Sequence, residues 1–443
     1  MALYTLGVVM YSIPLHSLMF KKSCLYVAGF NETVCSDLEQ QEKNIKNPVL
    51  GHASIYSTLR DVVQNVPAAV AAVIIGNYLT RYGFRTPLIV TLGGGVLTSV
   101  CHLLTVFYMP APLLFNALAD LPGSIAGGTI VISTAVYTNI ATRVPESLRL
   151  HRMTTMSLCA GLPALIAIGS GAVLSEILGM KILLGLAAII LTIPAVMVIF
   201  FLEDIETPEE NKNDSWREAF LLSLKNGLKT SIAVVSLKRP DGKRAQIISM
   251  IICIATSSIG IEACAGPLAF AYLKSVLKYT QTQYVVYTTF SMVLAFGALF
   301  PLVALTKLLK LSAPAMVSLG LAFFLAKFAL LSLTEFDEIF FYVQILVGIP
   351  IVLTSLSARS HLTDLVDKAE VAVVMSLTSL SEKLLPLLSA SLGTGIFAMT
   401  SSSFPGCFYL VISSIFIFPI VLSLYSTWIF RRSKRDEKNH THL

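Results

Sequence analysis

Apolar residues run in long unbroken stretches of about 20 along this chain, separated by short polar segments. Such stretches match the hydrocarbon thickness of a bilayer when coiled as helices. They lack the period-two alternation of a membrane barrel. Twelve spans are predicted, near 2–20, 53–79, 87–108, 112–142, 154–178, 181–202, 246–273, 283–305, 312–333, 338–358, 369–397 and 404–430. The expected fold class is an all-α membrane protein. A long polar interval divides the spans six and six: a bundle over 1–202, a linker over 203–245, a second bundle over 246–430 and a tail over 431–443. A six-plus-six plan with a long middle linker points to two pseudo-repeated bundles.

Composition agrees with a membrane chain. Hydrophobic residues make up 55% and charged ones only 13% of 443, where a soluble domain carries about a quarter charged. The net charge of +6 matters less than its placement. Short loops on one face hold Arg81 and Arg85, then Arg143, Arg149 and Arg152, then Lys307 and Lys310, and the tail "RRSKR" (431–435) falls on the same face. The opposite loop "EFDE" (335–338) is acidic. The positive-inside rule therefore predicts that both termini are cytoplasmic. The setting is lipid, in the plasma membrane or the lysosomal membrane, and nothing points to a nucleic-acid partner.

With that orientation, residues 21–52 form an extracellular or lumenal loop. It contains the glycosylation sequon "NET" at Asn31. Cys24 and Cys35 stand clear of the spans, and an oxidising face lets them pair; two free thiols are the alternative. Cys101, Cys159, Cys253, Cys264 and Cys407 fall in apolar runs and read as small packing residues. The first span starts at Met1 without the basic n-region or cleavage site of a signal peptide; an incomplete N-terminus is the other reading. In the linker, "SWREAFLLSLKNGLK" predicts an amphipathic helix. Ser215 and Glu218 form a capping box, and Trp216, Phe220 and Leu224 share one face. Such a helix lies on the membrane surface or beneath the bundles.

A faint repeat joins the halves. "LTRYGFRTPLIVTLGGG" (79–95) follows the second span and "LTKLLKLSAPAMVSLGL" (305–321) the eighth. The first copy resembles the signature loop of the major facilitator superfamily, Gly-x-x-x-Asp-Arg-x-Gly-Arg. Gly76, Arg81, Gly83 and Arg85 fit it, and Thr80 departs from it at the acidic position. The resemblance implies a loop that latches one closed state through charge pairing.

Further pieces resemble the proton-coupled folate transporter (heme carrier) family, particularly its insect-type members. "KKSCLYVAGFNETVCSDL" (21–38) is similar to that family's Lys-x-Cys…Tyr/Phe-Asn-x-x-x-Cys segment. "ADLPG" (119–123), "YTNIATRV" (137–144), "SEKLLP" (381–386) and "FPGCFYL" (404–410) resemble its fourth-, eleventh- and twelfth-span motifs in order. Departures are Asn139 for an acid, Leu158-Cys159-Ala160 where folate-carrying members have a coupling glutamate, and Pro267 after Gly266. The resemblance implies a carrier of a small organic anion, folate-like or muropeptide-like, with a proton as candidate coupling ion.

Polar groups inside the spans need partners or a wet cavity, because each costs a few kcal/mol at the bilayer centre. In the second span Asp61, Gln64, Asn65 and Ala68 share one helical stripe bordered by Arg60. Two readings stand. Arg60 snorkels with Asp61 as its local partner, or the stripe faces a central cavity where Arg60 attracts an anionic substrate. Asp120 precedes "PGSIAGG" in the fourth span. Glu262 lies in "SSIGIEACAGP", where Gly266 and Pro267 predict a kink. Glu382 lies mid-span, with Lys383 beside it and Pro386 one turn on.

Arg60, Asp61, Gln64, Asn65 and Asp120 are thus candidate substrate contacts, and Glu382 and Glu262 candidate proton carriers. Glu176 reads as interfacial, Tyr284 and Tyr287 as belt residues, and Arg359 as an anchor at the end of the tenth span, with substrate contact as the alternative. No phosphate-binding loop, metalloprotease motif or nucleophile elbow is present, so an enzyme, a cofactor and a metal site are not expected. The leading expectation is a secondary transporter working by alternating access. The alternatives are a transporter-like receptor without flux and a facilitator of another solute class. A membrane acyltransferase would want an intramembrane His beside an acid, and past the first span only His102 lies well inside one.

Overall fold

A computed structural model describes residues 1–36, 43–202, 216–400 and 403–441. The readings on 37–42 and 203–215, including Ser215 of the capping box, lie outside the described residues, as do the side chains of Thr80, Glu176, Trp216 and Phe220. Every regular element among the described residues is helical. Lipid offers the main chain no hydrogen-bonding partner, so each apolar run must satisfy its own amides by coiling.

Among the described residues, eleven helices are long and apolar enough to cross a membrane. The helix Ala2–Lys22 supplies a twelfth, although its strongly apolar part, Ala2–Ser12, is shorter. The all-helical fold class of about twelve transmembrane helices is what the hydropathy pattern predicts. The chain divides into two compact units. The first comprises Met1–Ala135 and Cys159–Phe220; the second comprises Val136–Leu158 and Leu221–Leu443. The segment 136–158, which hydropathy alone assigns to the first half, packs with the second unit.

In the first unit the third span, Arg85–Phe107, packs on the sixth, Met180–Phe201, and on the middle of the fourth, Leu113–Arg143. Small residues set the closest approach. A Cβ on Gly94 would stand 3.0 Å from the Pro122 carbonyl, and the Gly123 amide donates to Thr98 Oγ1 at 2.8 Å. The fourth span is broken into Leu113–Leu118, Leu121–Ile125 and Gly128–Arg143. Gly127 and Gly128 turn the chain with φ of +90° and +49°.

In the second unit the seventh span, Lys243–Cys264, packs on the tenth, Ile339–Leu365, and the eleventh, Val371–Phe397. Stacked rings of Phe324, Phe328, Phe416 and Tyr409 fill its core. The predicted kink is a full break: one helix ends at Ala265, the next runs Pro267–Val276, and Gly266 between them is extended. The tenth span is likewise interrupted by a 3-10 turn, Ile349–Ile351.

The linker helix spans Trp216–Ser236. Its buried positions include the small residues Ser223 and Ser231, with Val234. Leu221, Leu224, Leu228 and Ile232 form an exposed apolar stripe, the side an interfacial helix turns to lipid.

Candidate functional site

The second and fourth spans meet at one buried ion pair. Arg60 Nε donates to Asp120 Oδ2 at 2.5 Å, and the two side chains are only 5% and 1% exposed. His102 from the third span shares the carboxylate, with Nε2 3.1 Å from Oδ1. Tyr11 from the first helix stacks on the imidazole at 5.6 Å. The break in the fourth span explains why Asp120 reaches this point. Asp120 sits between two short helices, its carbonyl accepts from the Ser124 hydroxyl, and that hydroxyl also bonds the Gln64 carbonyl at 2.9 Å. Four spans thus converge on one carboxylate.

Arg60 therefore takes as its close partner Asp120, two spans further along the chain, an acid named in neither of the two readings of Arg60 as its partner. Periodicity orders residues on one helix; it carries no information on which acid a second helix presents. Of the stripe, Asp61, Gln64 and Asn65 are half-buried and Ala68 is buried. The Asn65 amide is turned back to the Asp61 carbonyl at 2.8 Å.

The second unit holds a corresponding pair. Arg359 is buried, with Nη2 2.5 Å from Glu382 Oε2 and Nη1 donating to Thr378 at 3.1 Å. Its guanidinium lies over the Tyr137 ring at 4.6 Å, and Ser355 donates to the other Glu382 oxygen at 3.1 Å. The anchor reading of Arg359 fails here. An anchor keeps its head in water, whereas this head is desolvated and spent on a carboxylate, a hydroxyl and a ring.

Glu262 is close enough to Lys383 to interact electrostatically, and its carboxylate lies on Gly266. A Cβ at Gly266 would stand 2.7 Å from Glu262 Oε1. Tyr284 and Tyr287 are buried core residues, so the belt reading is corrected: the Tyr284 hydroxyl bonds the Gly266 carbonyl and Tyr287 accepts from Gln344.

In the signature-like loop the helix Lys43–Tyr82 ends at Gly83, whose φ of +93° needs glycine. Gly76 is buried, Arg81 half-buried, and Arg85 donates to the Ile199 carbonyl at 2.6 Å. At the equivalent turn of the second half Lys310 takes φ of +51°. Cys24 and Cys35 form a disulfide with Cα atoms 5.8 Å apart. Beside it Lys21 holds the exposed Glu32 carboxyl below its usual range. Asn31 is exposed. No group of three His, Cys, Asp or Glu among the described residues is placed to hold a metal.

Residues 55–390 match the family model described as Major Facilitator Superfamily. The chain belongs to this superfamily. Solved structures agree with its fold. The human organic anion transporter MFSD10 (TETRAN) aligns over 95% of this chain and 96% of its own, at 14% identity and a TM-score of 0.65. A point variant of the E. coli fucose:proton symporter FucP aligns over 94% of this chain and 98% of its own, at 14% identity and a TM-score of 0.62. No curated protein matches the sequence significantly. The chain is thus a multi-pass membrane protein with the fold of facilitator-superfamily transporters.

Two functional roles escape the sequence reading. His102 was visible only as a lone intramembrane histidine, and only the fold brings Asp120 beside it. Lys327, a lone cation in "AFFLAKFALL", is buried in the ninth span and was visible as an isolated charge.

Proposed function

We propose that this chain is a secondary active transporter of a small organic anion, working by alternating access and coupled to a proton. The observation that carries the reading is a pair of charge clusters, each inside one unit of a facilitator-superfamily chain: Arg60–Asp120–His102, almost fully buried, and buried Arg359 with the partly exposed Glu382. Structural ion pairs of this kind are a poor means of stabilisation, because desolvation offsets most of the attraction. Their use is as charge relays. A proton on His102 or Asp120 changes the net charge around Arg60, and a proton on Glu382 releases Arg359.

In this reading Asp61, Gln64 and Asn65 contact substrate, Asp120 with His102 carries the proton in the first unit, and Glu382 does so in the second. Glu262, on the helix break at Gly266, is a further carrier. Gly76, Arg81, Gly83 and Arg85 form the gating loop. Both termini are cytoplasmic. The disulfide Cys24–Cys35 and the exposed Asn31 sequon fit an opposite, oxidising face. The segment resemblances to the proton-coupled folate transporter family favour an anion of folate or muropeptide type, and an organic anion transporter and a proton symporter share the fold.

Proteoliposomes loaded at neutral pH and diluted into acidic buffer test the proposal with labelled folate, muropeptide and cyclic dinucleotide. Uptake that rises with the gradient and falls on Glu382→Gln or Asp120→Asn is expected. Flux indifferent to the gradient removes the coupling. Binding without any flux favours a receptor.

A further inference from the structure

Lys327 lies in the last third of the ninth span, Ala313–Leu333, and is 5% exposed. Arg60 and Arg359 each hold a carboxylate. Among the described residues no Asp or Glu lies within ion-pairing distance of Lys327. Its polar neighbours are the Cys264 thiol and the Tyr287 hydroxyl, both uncharged in their usual state. An ammonium in an apolar interior with only neutral partners is poorly compensated.

A second group beside it is also unspent. Gln344 is fully buried and donates Nε2 to the Tyr287 hydroxyl at 3.1 Å, while its Oε1 has no partner. Exchanging the amide atoms is sterically neutral and turns that free position into a donor. The main chain makes room as well. A Cβ on Gly348 would stand 2.8 Å from Lys327 Nζ and 2.9 Å from its Cδ, so glycine at the entry to the 3-10 turn lets the ammonium reach this place. Aromatic rings wall the cluster. Tyr287 lies 4.8 Å from Phe341 and 6.4 Å from Tyr284.

We propose that Lys327, with Tyr287 and Gln344, forms a subsite that takes the carboxylate of an organic anion, whose apolar or aromatic body lies against Tyr284 and Phe341. One cation with neutral donors matches a single negative charge. A phosphate dianion would call for a second cation or a guanidinium fork. The inference rests on the organic-anion reading and locates the charge-recognising residue within the second unit.

The probes are sodium acetate, benzoate and 3-phenylpropanoate, with benzamide as the neutral isostere of benzoate, added to the full-length protein in lipid nanodiscs. Benzoate and 3-phenylpropanoate are expected to raise the unfolding midpoint in a saturable way and to slow maleimide labelling of Cys264, read by mass spectrometry. Benzamide is expected to do neither. Lys327→Met abolishes both responses, and Gln344→Leu weakens the apparent affinity about tenfold, the loss of one hydrogen bond to a charge. An unchanged benzoate response in Lys327→Met overturns the assignment, as does a wild type that answers none of the carboxylates. If Lys327→Met does not fold, Gln344→Leu decides: unaltered affinity in it overturns the subsite. Failure of the transport proposal reads differently, as carboxylate binding retained with no proteoliposome flux. Flux that persists in Lys327→Met would instead remove the subsite and leave transport standing.

Discussion

Replacing Asp120 by Asn removes the negative charge from the Arg60 guanidinium while keeping the side chain's shape. Both partners are almost fully buried at 2.5 Å, so water cannot take over the lost role. Charges about 4 Å apart attract by about 4 kcal/mol at an effective dielectric of 20, and breaking one side of a buried pair costs about 3–5 kcal/mol. The His102 bond at 3.1 Å survives with an amide in place of the carboxylate, at reduced strength. For a unit of about 200 residues that cost corresponds to a fall of about 7–12 °C in the unfolding midpoint. The double variant Arg60→Met/Asp120→Asn removes both charges, and a neutralised pair is often close to neutral in stability, so it is expected to regain most of the loss. Thermal unfolding of the four proteins in one detergent closes the double-mutant cycle. A single variant within about 1 kcal/mol of wild type, or a double variant as unstable as Asp120→Asn, would refute the pairing argument.

Three further outcomes follow from particular contacts. Gly266→Ala places a Cβ 2.7 Å from Glu262 Oε1 and 2.8 Å from its carbonyl oxygen, so unfolding is eased by about 1–3 kcal/mol; an unaltered midpoint would mean the break tolerates a side chain. Gly83→Ala, at φ of +93°, costs about 1–2 kcal/mol, whereas Lys310→Gly relieves a φ of +51° and gains up to about 1 kcal/mol; midpoints moving together would contradict the opposed signs. Arg359→Lys keeps the charge on Glu382 but gives up the fork to Thr378 and the stacking on Tyr137, a loss of about 1–3 kcal/mol by chemical denaturation. Equality with wild type would show that only the charge counts there.

The helical, polytopic character was legible because a bilayer leaves one solution for an apolar run of about 20 residues. Helix breaks were partly legible. The Gly266-Pro267 pair announces one directly, since proline starts a new helix and clashes with the old. The 3-10 turn at Ile349–Ile351 carries no equally specific signal. Arg359 shows the limit on the other side. At the end of a predicted span a basic residue resembles an anchor. Only the extension of the tenth helix to Leu365 carries it inside, onto Glu382.

Read along the chain, hydropathy and residue type fix which segments lie in lipid and where a break such as Gly266-Pro267 must fall. They also fix that Asp120, Glu262 and Glu382 sit at depths where they need partners. Those properties are local: hydropathy, ring closure and missing side chains act within a few turns of one helix. Which partners they find depends on helix packing. Asp120 meets Arg60 and His102, Glu382 meets Arg359, and Lys327 meets only neutral groups, because each contact joins different helices; close approaches at Gly94 and Gly123 in one unit, and of Lys327 to Gly348 in the other, are part of that packing. A buried charge demands compensation from whatever side chain the fold brings within reach, and that distance is not written along the chain.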